Sequence, residues 1–399
     1  GAQAVNGKEL VLRSLRHESV PRVAWVPYTG VHVASLTGYT ATEVLTDQAK
    51  LLESLLLAHK LYSPDGIPVA FDLQVEAEIL GCGMKWAEKA PPSVISHPLA
   101  GQSDFALEVP PRSAGRIPLI LETAKKLRQE IGERTAIFGL ICGPLTLASH
   151  LRGTQFFLDF RRNEAQVHKL VEFTKRVALG MAGYYLDTGV DVLAVVDPLI
   201  SQISPAHFQQ FFAKPYKEIF DQLRARRTLS SFFVCGDATK NIEVMCQTGP
   251  DSIAIDENID IAKAKQVTDR YRITIMGNVP LTAVMLLGNQ QDNQKYVVEL
   301  MDKLGKSNFI LAPGCDMPFA VPRENVIGIS QAVQNVDQTR LFLKHYVRKE
   351  LDLEVQMPDY QKLSKPLVEV FTIDSETCAA CTYMKATAFQ MLDFYGQKI

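Results

Sequence analysis

Ala136-Ile137-Phe138-Gly139-Leu140-Ile141, a helical run over 165–188 closed by Gly189, and Val192-Leu193-Ala194-Val195-Val196 followed by Asp197 decide the fold class. Neither apolar run alternates with polar residues. A strand with one wet face alternates; a strand apolar on both faces is covered on both, as in a parallel sheet flanked by helices. The intervening helix is long enough to return the chain to the start of the next parallel strand.

Outward from this unit the rhythm repeats. Downstream, helices are expected over 205–226, 241–247, 261–268, 294–304 and 326–335, with strands over 231–234, 252–255, 273–276 and 309–312 between them. Upstream, a short helix over 10–16 precedes a strand over 23–26. A long helix over 42–61, capped by Thr40 or Thr42, precedes a strand over 67–71, and a helix over 119–131 follows. The segment 82–107 carries prolines and little helical period, and reads as an extended excursion. About eight βα units in one chain point to a closed (β/α)8 TIM-type barrel over residues 1–350. A doubly wound open sheet is the alternative, but no glycine-rich dinucleotide fingerprint follows any strand.

One more helix is expected over 338–350, and the tail then changes character. A strand over 366–373 runs into Thr377-Cys378-Ala379-Ala380-Cys381 and a helix to 394. Strand, C-x-x-C, helix is the opening of a thioredoxin-like unit, so residues 351–399 read as a partial unit of that kind, ending too soon to complete the fold.

Composition excludes several classes. The chain has 399 residues, a net charge of -2, 47% hydrophobic and 22% charged residues. Near-neutral charge argues against a nucleic-acid partner, which would need a basic face. No apolar run approaches the roughly 20 residues of a membrane helix. The seven cysteines are odd in number and scattered, unlike a secreted disulfide framework, so reduced thiols in a cytoplasmic protein are expected.

Chemistry in a βα barrel sits at the C-terminal ends of the strands. The polar and thiol residues expected there are Tyr28, His32, Asp72, Cys142, Asp197, Cys235, Asp237, Asp256, Glu257, Asn278, Cys315 and Asp316. Cys235-Gly236-Asp237 and Gly314-Cys315-Asp316 stand out, each following a strand. Two thiolates and one nitrogen or oxygen ligand make a catalytic zinc site with an open position. The plainer reading is that a buried cysteine is a small hydrophobe, and that Asp72, Asp197 and Asp256 cap helices or close turns.

Several stretches carry a family likeness: Glu76-Ala77-Glu78-Ile79-Leu80-Gly81-Cys82, Cys142-Gly143-Pro144-Leu145-Thr146, Asp197-Pro198, Val234-Cys235-Gly236-Asp237, Asp256-Glu257, Met276-Gly277-Asn278-Val279 and Gly314-Cys315-Asp316. In these the chain resembles the uroporphyrinogen decarboxylase superfamily. Within it, the chain resembles the methyltransferase branch of methylcobalamin:coenzyme M methyltransferases and related corrinoid-dependent enzymes. The resemblance implies a (β/α)8 barrel. It also implies methyl transfer between a corrinoid, methylcobalamin supplied by a partner protein, and a small-molecule donor or acceptor. Asp72, Asn278 and Asp197 would orient substrate, and zinc would be held by His-x-Cys and a later Cys. Cys235 and Cys315 match the two cysteines, but Phe233 stands at the histidine position. Residues 233 and 235 share a strand face, so a third ligand must come from elsewhere: His32 or Glu257, with Asp237 and Asp316 also in reach of the rim. The decarboxylases of the family hold substrate carboxylates with arginines after the first strand. Here residues 25–32 contain none, which disfavours a polycarboxylate substrate. A decarboxylase-like lyase on the same barrel, or a redox or binding module using Cys378 and Cys381, are the alternative readings.

Overall fold

The computed structural model describes residues 4–102, 104–348, 356–371, 384–389 and 391–392. Eight parallel strands form one sheet. They are β1 (Ala24–Trp25), β2 (Gly66–Pro68), β3 (Ala136–Cys142), β4 (Val192–Val196), β5 (Leu229–Phe233), β6 (Ser252–Ala254), β7 (Thr274–Val279) and β8 (Phe309–Pro313). Their spatial order is β1-β8-β7-β6-β5-β4-β3-β2, so each strand lies beside its sequence neighbour and β8 returns to β1. Register pairs such as Ile67↔Ile137, Leu140↔Ala194, Val195↔Phe232, Ile253↔Ile275, Ile310↔Met276 and Ala24↔Ile310 are all parallel.

The remaining seam, between β1 and β2, is bridged by Asp65. Its N–H donates to the Trp25 carbonyl at 3.0 Å, and its carboxylate accepts the Trp25 N–H at 2.8 Å. Arg22 holds both carboxylate oxygens, at 2.7 and 2.8 Å. Two short strands thus close the barrel with one bidentate ion pair where a longer ladder is absent.

Alternation along β5 shows how each strand serves two layers. Phe232 points outward and stacks on Tyr216 at 4.2 Å, packing the barrel onto the helix Ala213–Ala225. Phe233 points inward, 4.7 Å from Tyr28 and 5.4 Å from Phe71.

Several expectations are corrected. The helix expected over 42–61 is two helices, Ala41–Thr46 and Gln48–Tyr62. Asp47 breaks them: its backbone is extended, and its side chain accepts the Lys50 N–H to cap the second helix. Thr40 caps the first in a reciprocal capping box with Glu43. The expected strand over 67–71 shortens to Gly66–Pro68, with the Val69 N–H making a last bond to the Phe138 carbonyl at 3.0 Å. Asn278 lies inside β7, not beyond it. The excursion over 82–107 contains a small antiparallel hairpin, Met84–Lys85 with Ser93–Val94. In the tail, residues 356–371 are exposed and form no strand, against the strand expected over 366–373. Cys378 and Cys381 lie outside the described residues, and the described part of the tail includes a helical run over 384–389.

Candidate functional site

A cavity of about 440 Å³ opens beside the C-terminal ends of β2 and β8, where Phe71 and Asp316 line it, within the size range of small-ligand pockets. Its wall includes Phe71, Lys85, His97, His150, Asp316 and Phe389. It lies between the excursion after β2, the helix Pro144–Arg152 and the tail helix. The inner wall of the barrel beneath it is aromatic, formed by Tyr28, Phe71 and Phe233, all buried.

The strand ends bring Cys235 and Cys315 together from 80 residues apart. Their Cα atoms are 6.0 Å apart and their sulfurs meet as a disulfide. Both residues are fully buried. Gly314, beside Cys315, packs against Glu257: a Cβ there would stand 2.8 Å from the Glu257 nitrogen. The neighbouring carboxyl, Asp316, has Oδ1 3.2 Å from the Cys315 sulfur and also lines the cavity. Burial lifts this carboxyl to about 7, because no cation offsets its loss of water. Gly30, at φ +52°, leaves room beside it; a Cβ there would touch both Asp316 and Phe71 at 3.4 Å.

Of the third-ligand candidates, Asp316 lies beside the pair, with Oδ1 3.2 Å from the Cys315 sulfur, while His32, Glu257 and Asp237 are engaged elsewhere. His32 is fully buried and its ring is engaged on both sides. One nitrogen lies 2.6 Å from the Tyr62 hydroxyl and the other 3.1 Å from the Phe319 carbonyl. Desolvation lowers it to about 4. Glu257 accepts the Leu281 N–H at 3.1 Å through Oε2. Its Oε1 is buried without a hydrogen-bond partner, and burial pushes the carboxyl up to about 7. Asp237 bends back on the Thr239 N–H and hydroxyl. Among the described residues, no group of three or more His, Cys, Asp and Glu side chains is arranged to hold a metal ion. Phe233, where the resemblance implies histidine, is packed between Tyr28 and Phe71. Among the described residues, the side chains present therefore do not form the His-x-Cys and Cys zinc arrangement that the resemblance implies.

Three residues expected to orient substrate have specific partners. Asp72 is buried, ion-paired to Arg116 at 2.5 Å, and accepts the Gln74 N–H at 2.9 Å. Arg116 also reaches Glu78 at 3.2 Å and lies over the Trp86 ring, which ties the excursion to the barrel. Asp197 is fully buried and accepts from the Leu145 and Thr146 N–H groups, the Thr146 hydroxyl and the Tyr216 hydroxyl. It anchors the N-terminus of Pro144–Arg152, and Gly143 leaves it the space to do so. Even with four donors, burial raises it to about 6. Asn278 donates its amide to the Asp256 and Ile259 carbonyls at 3.0 and 2.9 Å, and its Oδ1 is buried without a partner.

Sequence reasoning missed Arg116, Tyr216, Tyr62 and Glu76. Glu76 is buried, accepts the Cys142 N–H at 2.8 Å, and is pushed up to about 7 by desolvation. Two acidic residues on a short apolar helix, Glu76 and Glu78, were the available signal; only Glu78 turns to Arg116.

The uroporphyrinogen decarboxylase (URO-D) family matches residues 6–336. Methylcobamide:CoM methyltransferase MtbA of Methanosarcina acetivorans is 29% identical over 336 residues, covering 82% of this chain and 97% of the relative. MtbA of Methanosarcina mazei is 28% identical over the same shares. A solved methyltransferase from Methanosarcina mazei superposes with a TM-score of 0.77 over 84% of this chain and 99% of the other, at 24% identity, a likeness of fold.

Proposed function

The chain belongs to the uroporphyrinogen decarboxylase family, and from that premise we propose that it is a corrinoid-dependent methyltransferase. In this reading it moves a methyl group between a corrinoid carried by a partner protein and a small donor or acceptor. The observation that carries this reading is the match to methylcobamide:CoM methyltransferases over 97% of their length. The barrel mouth agrees with it. A 440 Å³ cavity suits a small molecule and leaves the corrinoid to be presented across the rim. Residues 25–32 hold no arginine, and Arg116 is paired with Asp72 and Glu78, so the arginine clamp that the decarboxylase likeness would require after the first strand is missing.

The corrinoid supplies or takes up the methyl group, and this chain's residues bind the small partner and keep water out. Phe71 and Tyr28 give an apolar floor that desolvates the reacting centre. Asn278 is assigned a substrate-orienting role in this reading: its NH2 is fixed by two carbonyls, which leaves its buried Oδ1 without a partner. Asp72 and Asp197 act as positioning residues, the first holding the excursion and the second the helix that bounds the cavity.

The test is methylcobalamin demethylation, followed by absorbance, with a panel of thiols, tetrahydrofolate, methylamine and aryl ethers. Acceptor-dependent loss of the methyl–cobalt band is expected with at least one class. No loss with any acceptor, together with carbon dioxide release from a porphyrinogen, would move the assignment to the lyase reading.

A further inference from the structure

We propose that Cys235 and Cys315 form a redox-active dithiol/disulfide pair at the barrel mouth, in place of a metal site. The proposal concerns the sulfurs and not the methyl acceptor, so it stands or falls separately from the methyl-transfer reading.

Three observations carry it. The two sulfurs meet as a disulfide, and the Cα separation of 6.0 Å falls within the range a disulfide spans without backbone movement. Among the described residues no histidine completes a metal site with the two cysteines: Phe233 stands at that position, and His32 is held by Tyr62 and Phe319. Asp316 connects the pair to the cavity, with Oδ1 3.2 Å from the Cys315 sulfur and its side chain in the cavity wall. A barrel strand end is an unusual place for a purely structural crosslink, since the eight-stranded sheet already fixes both residues. A disulfide in a reducing compartment is catalytic or sensing more often than structural.

The reductant is a small thiol, entering through the cavity. Its thiolate attacks the Cys235 sulfur, forming a mixed disulfide and breaking the Cys235–Cys315 bond. The electron pair leaves on the Cys315 sulfur, which takes up a proton and then donates a hydrogen bond to Asp316. A second thiol attacks the mixed disulfide, releasing the small disulfide and the Cys235 thiolate, which takes up the second proton. The balance is one protein disulfide and two thiols giving one protein dithiol and one small disulfide. Oxidised, the buried sulfurs are bonded to each other; reduced, the Cys315 thiol donates to Asp316, whose side chain lines the cavity.

The experiment uses the full chain with Cys378→Ser and Cys381→Ser, which removes the other cysteine pair that the tail offers. The protein is equilibrated at graded ratios of reduced to oxidised glutathione, quenched in acid, alkylated under denaturing conditions and analysed by peptide mass. Cys235 and Cys315 should pass together from a linked peptide to two alkylated peptides as the buffer becomes more reducing. With Cys235→Ser added, Cys315 should no longer pass into a protein disulfide at any ratio. The proposal is overturned if both cysteines stay alkylated in the most oxidising buffer, or if the purified protein holds one zinc per chain that either single Cys→Ser substitution removes.

Discussion

Glu76 shows what burial does to a single residue of this barrel. It is 2% exposed, its one strong partner is the Cys142 N–H, and the Arg116 cation near it is already paired with Asp72. Desolvation therefore wins, and its carboxyl rises from 4.5 to about 7. A group raised on folding contributes its full stability below its unfolded value and loses it as pH climbs through the folded one. Glu76→Gln keeps an acceptor for Cys142 without the charge. Relative to wild type it should gain stability between pH 4.5 and 7 and hold that gain above, on the order of 3 kcal/mol. Urea unfolding at pH 5 and pH 8 measures this, and equal differences at both pH values would contradict the buried-carboxyl account. Asp197 experiences the same burial and, even with four donors, is also raised, to about 6. The sequence reading gave Asp197 a substrate role; its contacts make it the anchor of a helix.

Among the elements, the closing seam is the weakest joint. β1 has two residues and β2 three, and Asp65 spans the gap between them. Asp65→Ala leaves the Arg22 guanidinium and the Trp25 N–H without their acceptor. Removing one member of a largely buried pair costs about 3–5 kcal/mol. The expected outcome is a lower denaturant midpoint with unchanged slope, and a loss under about 1 kcal/mol would show that the sheet closes without the ion pair. The helices were the most legible elements, because a 3.6-residue period persists over three or four turns. Their boundaries were not. Asp47 cannot be recognised as a break from periodicity, since both helices around it carry the same apolar face.

For the molecule as a whole, every barrel strand lies between Ala24 and Pro313, and the family match ends at residue 336. The described tail residues 356–371 are exposed. A chain ending at residue 348 should therefore unfold cooperatively within a few degrees of the full chain, while small-molecule affinity at the mouth changes because Phe389 no longer lines the cavity. A calorimetric scan beside a thiol-binding titration checks both, and loss of the folding transition would show that the tail is part of the core. The sequence by itself determined the eight βα units and their parallel order, because apolar strands and helical periods are local and repeat. It also identified Cys235 and Cys315 as neighbours-to-be and Phe233 as facing the barrel interior. Only the tertiary structure decided what those residues do. Whether Asp72 meets Arg116, whether His32 is engaged by Tyr62, and whether two cysteines find a third ligand or each other depend on distances between residues far apart in the chain. Periodicity carries no information about those distances.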